Sequence, residues 1–217
     1  MRFILSSLVS LLLSATVTGQ SENTKLKITR LAGDFYIYTT YSDYKGTPYP
    51  ANGMYVVTGK GVILVDSPWD TTQFQPLLDS IVARHREEVV LCIATHFHED
   101  RTGGLAYYRN RGIKTFTTAL TDAWSKQKGM KRAEFLIVRD TLMRVGAYSF
   151  QTFYPGQGHA PDNIVIWFEK EKILYGGCLV KSTEDTSLGN LGDASVDDYA
   201  ATVEKVLQQF GHAAYVI

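Results

Sequence analysis

The chain has 217 residues, with 22 basic and 22 acidic side chains, and 45% of its residues are hydrophobic. That length suits one domain with a real core. The balanced charge, with no basic stripe interleaved with aromatics, excludes an electrostatic binder of nucleic acid or membrane surfaces and leaves a protein of small substrates.

Arg2 precedes an apolar run, Phe3 to Val17, which gives way to small residues near Gly19. A basic start, a short apolar core and a small-residue exit describe a secretory signal peptide over residues 1–19. Ser6, Ser7, Ser10 and Ser14 dilute the run too much for a spanning helix, and no cysteine near the cut offers a lipid anchor. The mature domain is expected to be 20–217, exported to the periplasm and free of the membrane once the leader is removed.

Leu26 to Thr40 reads as strands with polar interruptions. Tyr41 to Gly53 carries Gly46, Pro48, Pro50 and Gly53, turn chemistry that predicts a long functional loop. Met54–Thr58 and Val62–Val65 are β-branched and apolar around Gly59-Lys60-Gly61, a hairpin pattern. Phe74, Leu77, Leu78, Ile81 and Val82 form a helical stripe within Thr71–His85. Val89–Thr95 predicts a buried strand, and 104–110 and 120–126 short helices. Strands are expected at Ser149–Tyr154, Ile164–Phe168 and Ile173–Gly176. A last helix, Val196–Phe210, follows a possible cap at Ser195 and stops at Gly211. Strands in antiparallel-looking pairs with helices between them predict a layered α/β fold.

The strongest local signal is His96-Phe97-His98-Glu99-Asp100-Arg101, directly after the predicted buried strand. In extended backbone, residues two apart point to one side. His96, His98 and Asp100 can thus converge as two imidazoles and a carboxylate, all good zinc ligands. A solvated polar loop is the plain alternative. His159, in Gly156-Gln157-Gly158-His159, again lies between predicted strands and would complete a three-histidine site with an open fourth position. Cys178, after Gly176-Gly177, offers a soft thiolate for a second metal, with Asp100 placed to share it. In an exported protein Cys92 and Cys178 could instead pair, but Cys92 sits in an apolar run and reads as a buried small hydrophobe. His85 and His212 each follow a helix end, where a cation suits the dipole, and are read as structural.

These motifs resemble the metallo-β-lactamase superfamily. Arg101 narrows the resemblance: most of its hydrolases place a histidine there, whereas class B metallo-β-lactamases with a cysteine ligand place arginine. Leu64-Val65-Asp66-Ser67-Pro68-Trp69, Gly176-Gly177-Cys178-Leu179-Val180-Lys181-Ser182 and Leu188-Gly189-Asn190-Leu191-Gly192-Asp193-Ala194 are similar to that subclass, and the likeness spans Leu26 to the end. The resemblance implies an α/β, four-layer αββα sandwich with two zinc ions at one edge. It implies His96, His98 and His159 on the first zinc, and Asp100, Cys178 and one further histidine on the second. A zinc-bound hydroxide would open the β-lactam ring of penicillins, cephalosporins and carbapenems, conferring antibiotic resistance. Asp100 and Asn190 would serve the chemistry, Lys181 and Asn190 would bind substrate, and Asp66, Arg101 and Asp193 would orient ligands. Tyr41–Gly53 would be a mobile flap, and a monomer suffices.

Two departures stand out. Ala160 replaces the hydroxylated residue more usual after this histidine, removing one possible hydrogen bond to the ligands. Ala213–Ile217 resembles the strand that leads to a Pro-Gly-His segment, so the domain is expected to be C-terminally truncated, with the second site short of one ligand. Other readings are a different hydrolase of the superfamily, such as a thioesterase or lactonase, and a zinc-binding fragment without useful catalysis.

Overall fold

A computed structural model describes residues 25–44, 46–138 and 140–217, so the predicted leader, 1–19, lies outside the described residues. The chain forms β1 (Leu26–Ala32), β2 (Phe35–Tyr44), β3 (Thr47–Val57), β4 (Val62–Val65), α1 (Phe74–His85), β5 (Val89–Ile93), α2 (Glu99–Thr102), α3 (Leu105–Arg109), β6 (Lys114–Thr118) and α4 (Ala119–Lys128). It continues through β7 (Phe135–Ile137), β8 (Leu142–Val145), β9 (Tyr148–Phe153), β10 (Val165–Phe168), β11 (Ile173–Tyr175), α5 (Val196–Phe210) and β12 (Tyr215–Val216). Short 3-10 turns precede α1 and follow β11.

Two sheets result. The first runs β1 to β7 in sequence order, and the second runs β12-β11-β10-β9-β8. The expected antiparallel pairing holds for β1 to β4 and for β8 to β11. From β4 to β7 the strands are parallel instead. Parallel neighbours need crossovers, and α1, α3 and α4 supply them.

The period-2 alternation of buried strands builds three cores. In β4, Val62 and Leu64 face α1 and α3, where they meet Leu77, Ile81, Leu105 and Tyr108. Ile63 and Val65 face the other sheet and meet Ile166, Phe168 and Tyr175. Val165 and Trp167, the other face of β10, pack on Tyr199, Val206 and Phe210 of α5. Helix, sheet, sheet, helix is therefore the layer order, the expected αββα sandwich.

Residues 41–53 correct an expectation. Tyr41–Tyr44 and Thr47–Gly53 are strand, the arms of a hairpin paired from Tyr41↔Pro50 out to Tyr44↔Thr47. Pro48 and Pro50 are tolerated because β4 covers β3 only from Met54 onward, so the outer edge of β3 is free there. Both prolines fall in one register phase, two residues apart, with the side lacking N–H turned to that free edge. His85 is structural, as expected. It stands in the last turn of α1, its Nε2 lies 3.0 Å from the Tyr55 hydroxyl, and desolvation, then the neighbouring Arg84 charge, lowers its pKa. Ser195 begins α5, but its hydroxyl donates to Asp198 Oδ2 at 2.6 Å rather than accepting from the helix backbone.

Candidate metal centre

The centre lies where β4 and β5 end, at the carboxyl edge of the parallel strands, where open α/β sheets present their sites. Asp66 leaves β4 in a left-handed conformation, φ 64°, fully buried. Its carboxylate accepts from the Thr95 backbone N–H at 2.8 Å and the Thr95 hydroxyl at 3.0 Å, which fixes the chain as it leaves β5. Ser67 latches the following turn, donating to Arg101 O and accepting from the Gly104 N–H, both at 3.0 Å.

On that frame His96 is fully buried, while His98 is extended at φ −61°, ψ 154° and precedes α2. Asp100 lies within α2, so the helical turn brings it back toward His96 rather than the straight alternation expected. Its Oδ1 is 4.0 Å from His96 Nε2. His159 comes from the β9–β10 connection, and Gly158 before it is tight: a Cβ there would meet Leu179 Cδ1 at 2.6 Å. Gly177, at φ +55°, turns the chain after β11 so that Cys178 faces the same region. The Tyr199 hydroxyl of α5 secures that turn by donating to Leu179 O at 2.9 Å.

The structure thus brings the predicted ligand residues together. His98 Nδ1 is 3.1 Å from His96 Nε2 and 3.2 Å from His159 Nε2. Ligand atoms of His96, His98 and Asp100 lie within 4.8 Å of one another, as do those of His96, His159 and Cys178. Desolvation first, then the neighbouring His159 and His98, holds His96 well below the ordinary histidine value. Desolvation, aided by the Lys181 charge, lowers His159 to about 3. Burial thus disfavours the protonated form of both imidazoles and leaves their lone pairs available to a metal. Tetrahedral zinc with Zn–N of about 2.0–2.1 Å holds its nitrogens about 3.3 Å apart, close to the spacing found here. These donors fit such an ion. His159 Nδ1 has no hydrogen-bond partner among the described residues.

Arg101, buried, organises the other half. One terminal nitrogen donates to Cys178 Sγ at 2.9 Å, and the other to Asn52 O at 2.6 Å and the Tyr175 hydroxyl at 3.2 Å. Its Nε is 3.1 Å from Asp100 Oδ2, and Nη1 is 3.4 Å from Asp66 Oδ2. Cys178 Sγ lies 3.5 Å from Asp100 Oδ2. Desolvation pushes its thiol up to about 12, with Arg101 opposing. Asp193 accepts from His98 Nε2 at 3.2 Å. Lys181 lies beside the loop of Asn190, its Nζ 3.9 Å from where a Cβ on Gly189 would stand. Asn190 is exposed, its Oδ1 taking the Gly192 N–H at 3.1 Å.

Cys92 and Cys178 are both free, Cys92 buried in β5 with its thiol 3.6 Å from Asp66 O. Thiol titration of denatured, metal-free protein is expected to count two free cysteines. A count of zero would reveal a disulfide and remove Cys178 from the centre. Tyr175, Asn52 and Lys128 carry no local sequence signal of a role here. Tyr175 donates to Asp66 Oδ2 at 2.7 Å, and Lys128 donates to Asp193 Oδ1 at 2.8 Å.

The sequence profile of the Metallo-beta-lactamase superfamily matches residues 46–214. Among curated proteins, the metallo-beta-lactamase type 2 of Elizabethkingia meningoseptica is 40% identical over 212 residues, covering 96% of this chain and 85% of that protein. Metallo-beta-lactamase IND-1 of Chryseobacterium indologenes is 39% identical, covering 97% and 87% respectively. Among solved structures, metallo-beta-lactamase IND-7 superposes with a TM-score of 0.86 at 39% identity, covering 89% of each chain. The metallo-beta-lactamase from Pontibacter korlensis superposes at 0.85 with 30% identity, covering 88% of this chain and 89% of that one. The profile match takes in every residue gathered at the centre, and the αββα layering agrees with the superposed structures: the chain belongs to the metallo-beta-lactamase superfamily.

Proposed function

We propose that this chain hydrolyses the β-lactam ring of penicillins, cephalosporins and carbapenems with zinc, and so confers antibiotic resistance. The observation that carries this reading is the convergence of three imidazoles beside a thiol, a carboxylate and a buried arginine. Metallo-beta-lactamase relatives at about 40% identity support it.

His96, His98 and His159 would hold one zinc, and Asp100 and Cys178 a second. Bound zinc supplies Lewis acidity, polarising a carbonyl and allowing water to act as a nucleophile near neutral pH. Hydrolysis adds the water oxygen to the lactam carbonyl carbon, breaks the ring C–N bond and leaves a proton on nitrogen. Asp100, held by Arg101, accepts a hydrogen bond from the attacking water and so orients it. Asn190 donates its carboxamide N–H to the carbonyl oxygen, where charge develops. Lys181 pairs with the substrate carboxylate. Asp66, Arg101 and Asp193 keep the ligands aimed. The hairpin arms at 41–53 act as a flap over the substrate. The chain is exported to the periplasm through the 1–19 leader and acts as a monomer.

The test is ring opening of a chromogenic cephalosporin by the zinc-loaded and chelator-stripped chain. Hydrolysis is expected only with zinc. Lys181→Ala should raise KM with kcat nearly unchanged, a loss of about 1.5–3 kcal/mol for a charge-assisted contact equal in ground and transition states. A folded, zinc-loaded chain that leaves the ring intact overturns the reading. Unchanged kinetics in Lys181→Ala overturns the role of that lysine.

A further inference from the structure

We infer that Lys128 is a positioning residue of the metal centre: by gripping Asp193 it makes that carboxylate hold His98 with Nδ1 turned to the other two histidines. The inference rests on the reading of His98 as a zinc ligand. Lys128 closes α4, one turn beyond Trp124, so the two side chains share a face of the helix. Trp124 stacks on Phe97 at a centroid distance of 5.8 Å and an interplanar angle of 23°. Phe97 stands between His96 and His98, so this face of α4 is laid against the ligand segment itself. Lys128 Nζ reaches over both rings, 5.9 Å from the Phe97 centroid and 5.8 Å from the Trp124 centroid, and ends on Asp193.

The two oxygens of Asp193 are divided between two partners. Oδ1 takes Lys128 Nζ at 2.8 Å, and Oδ2 takes His98 Nε2 at 3.2 Å. A histidine that donates from Nε2 presents a lone pair at Nδ1, the atom that faces His96 and His159. The tautomer and ring angle of His98 therefore depend on where Asp193 Oδ2 stands. Asp193 lies on a connection between β11 and α5, tied by few backbone bonds: Ala194 N–H to Leu191 O at 3.2 Å and Ser195 N–H to Gly158 O at 2.9 Å. Neither bond sets the rotation of its carboxylate. Lys128, arriving from the opposite side, does.

A lysine in the last turn of a helix also suits the dipole, and a partly exposed ion pair contributes little to stability. The effect of losing Lys128 should therefore appear in the metal site rather than in the fold. A partner touching a ligand directly changes metal affinity about 10- to 100-fold. One bond further out, Lys128→Met should weaken zinc binding about threefold to tenfold, a step below that range.

The experiment is zinc affinity by chelator competition for the parent chain, Lys128→Met and Lys128→Arg, with Tm measured alongside. The expected result is weaker binding in Lys128→Met at nearly unchanged Tm, with most of the affinity recovered in Lys128→Arg. In proton NMR of the zinc-loaded protein, the His98 Nε2–H signal should exchange with solvent faster in Lys128→Met than in Lys128→Arg. Parental affinity in Lys128→Met overturns the inference, and so does Lys128→Arg binding as weakly as Lys128→Met. Should Lys128→Met lose Tm, the affinity of Lys128→Arg decides: a value near the parent's upholds the ion pair, and a weak one overturns it. Zinc binding is read without any β-lactam. A parent chain that binds zinc but opens no ring strikes the hydrolase reading and leaves this test intact, whereas a parent that binds no zinc overturns both.

Discussion

His159→Ala is expected to lose ring-opening activity by more than about 100-fold, together with tight zinc binding. The bound is conservative, because about 100-fold already marks the upper range for residues that only touch a ligand, and His159 is itself one of the three imidazoles. Its Nε2 is 3.2 Å from His98 Nδ1, so its removal leaves a two-histidine remnant. The metal-free protein offers an independent check through pH. Desolvation lowers His159 from 6.5 to about 3 in the folded chain. The unfolded state therefore takes up a proton at a higher pH than the folded state does. The stability linked to this group is present above about 6.5 and is lost as pH falls toward 3, by up to about 1.4 kcal/mol per pH unit. His159→Ala deletes that contribution, so its stability should fall less steeply between pH 6.5 and 4 than the parent's. Denaturant unfolding at several pH values measures the two slopes. Equal slopes, or zinc affinity unaltered by the substitution, would remove His159 from the site.

Much of this centre is legible in the sequence because its central motif is local. His96, His98 and Asp100 fall within five residues, and the strand before them announces itself as Val89–Ile93. Helix α5 is equally plain, since its stripe of Tyr199, Val206 and Phe210 buries one continuous core. What escapes is carried by long-range contacts. Tyr175 donates to Asn52 O across 123 residues, and Lys128 to Asp193 across 65, and no local period marks either pair. Residues 41–53 read as a loop because proline normally ends a strand, and only the free edge of β3 explains its survival there. Strands β6, β7 and β8 are also missed. Lys114–Thr118 alternates threonine with one phenylalanine, and Phe135–Ile137 is three residues long, too little to stand out beside the charged residues before it. Their identity as strands comes from neighbours that supply the hydrogen bonds, not from their own pattern.

Arg101→Met is expected to destabilise the metal-free fold by about 3–5 kcal/mol at pH 8, the range for breaking a buried ion pair on one side. Arg101 is a buried cation with Asp66, Asp100 and Cys178 around it. Methionine fills most of the volume but leaves Asp66 Oδ2 with the Tyr175 and Thr95 hydroxyls and no positive charge. Already in the parent, desolvation raises the Asp66 pKa and Arg101 is the largest influence opposing it. Without Arg101 the carboxyl is driven higher still. A folded-state pKa above the unfolded value means that the folded chain binds more protons across that interval. Stability is then greatest at low pH and is lost as pH rises through the folded pKa. The gap between the variant and the parent should therefore be smaller at pH 5 than at pH 8, widening with pH. Arg101→Lys keeps the charge but not the planar fork that reaches Cys178, Asn52, Tyr175 and Asp100 together, so it should recover only part of the loss. Urea unfolding of the three proteins at pH 5 and pH 8 measures this directly. A variant within about 1 kcal/mol of the parent at pH 8 would mean that water reaches Asp66, and that the arginine serves the thiol and the flap strand rather than the buried acid.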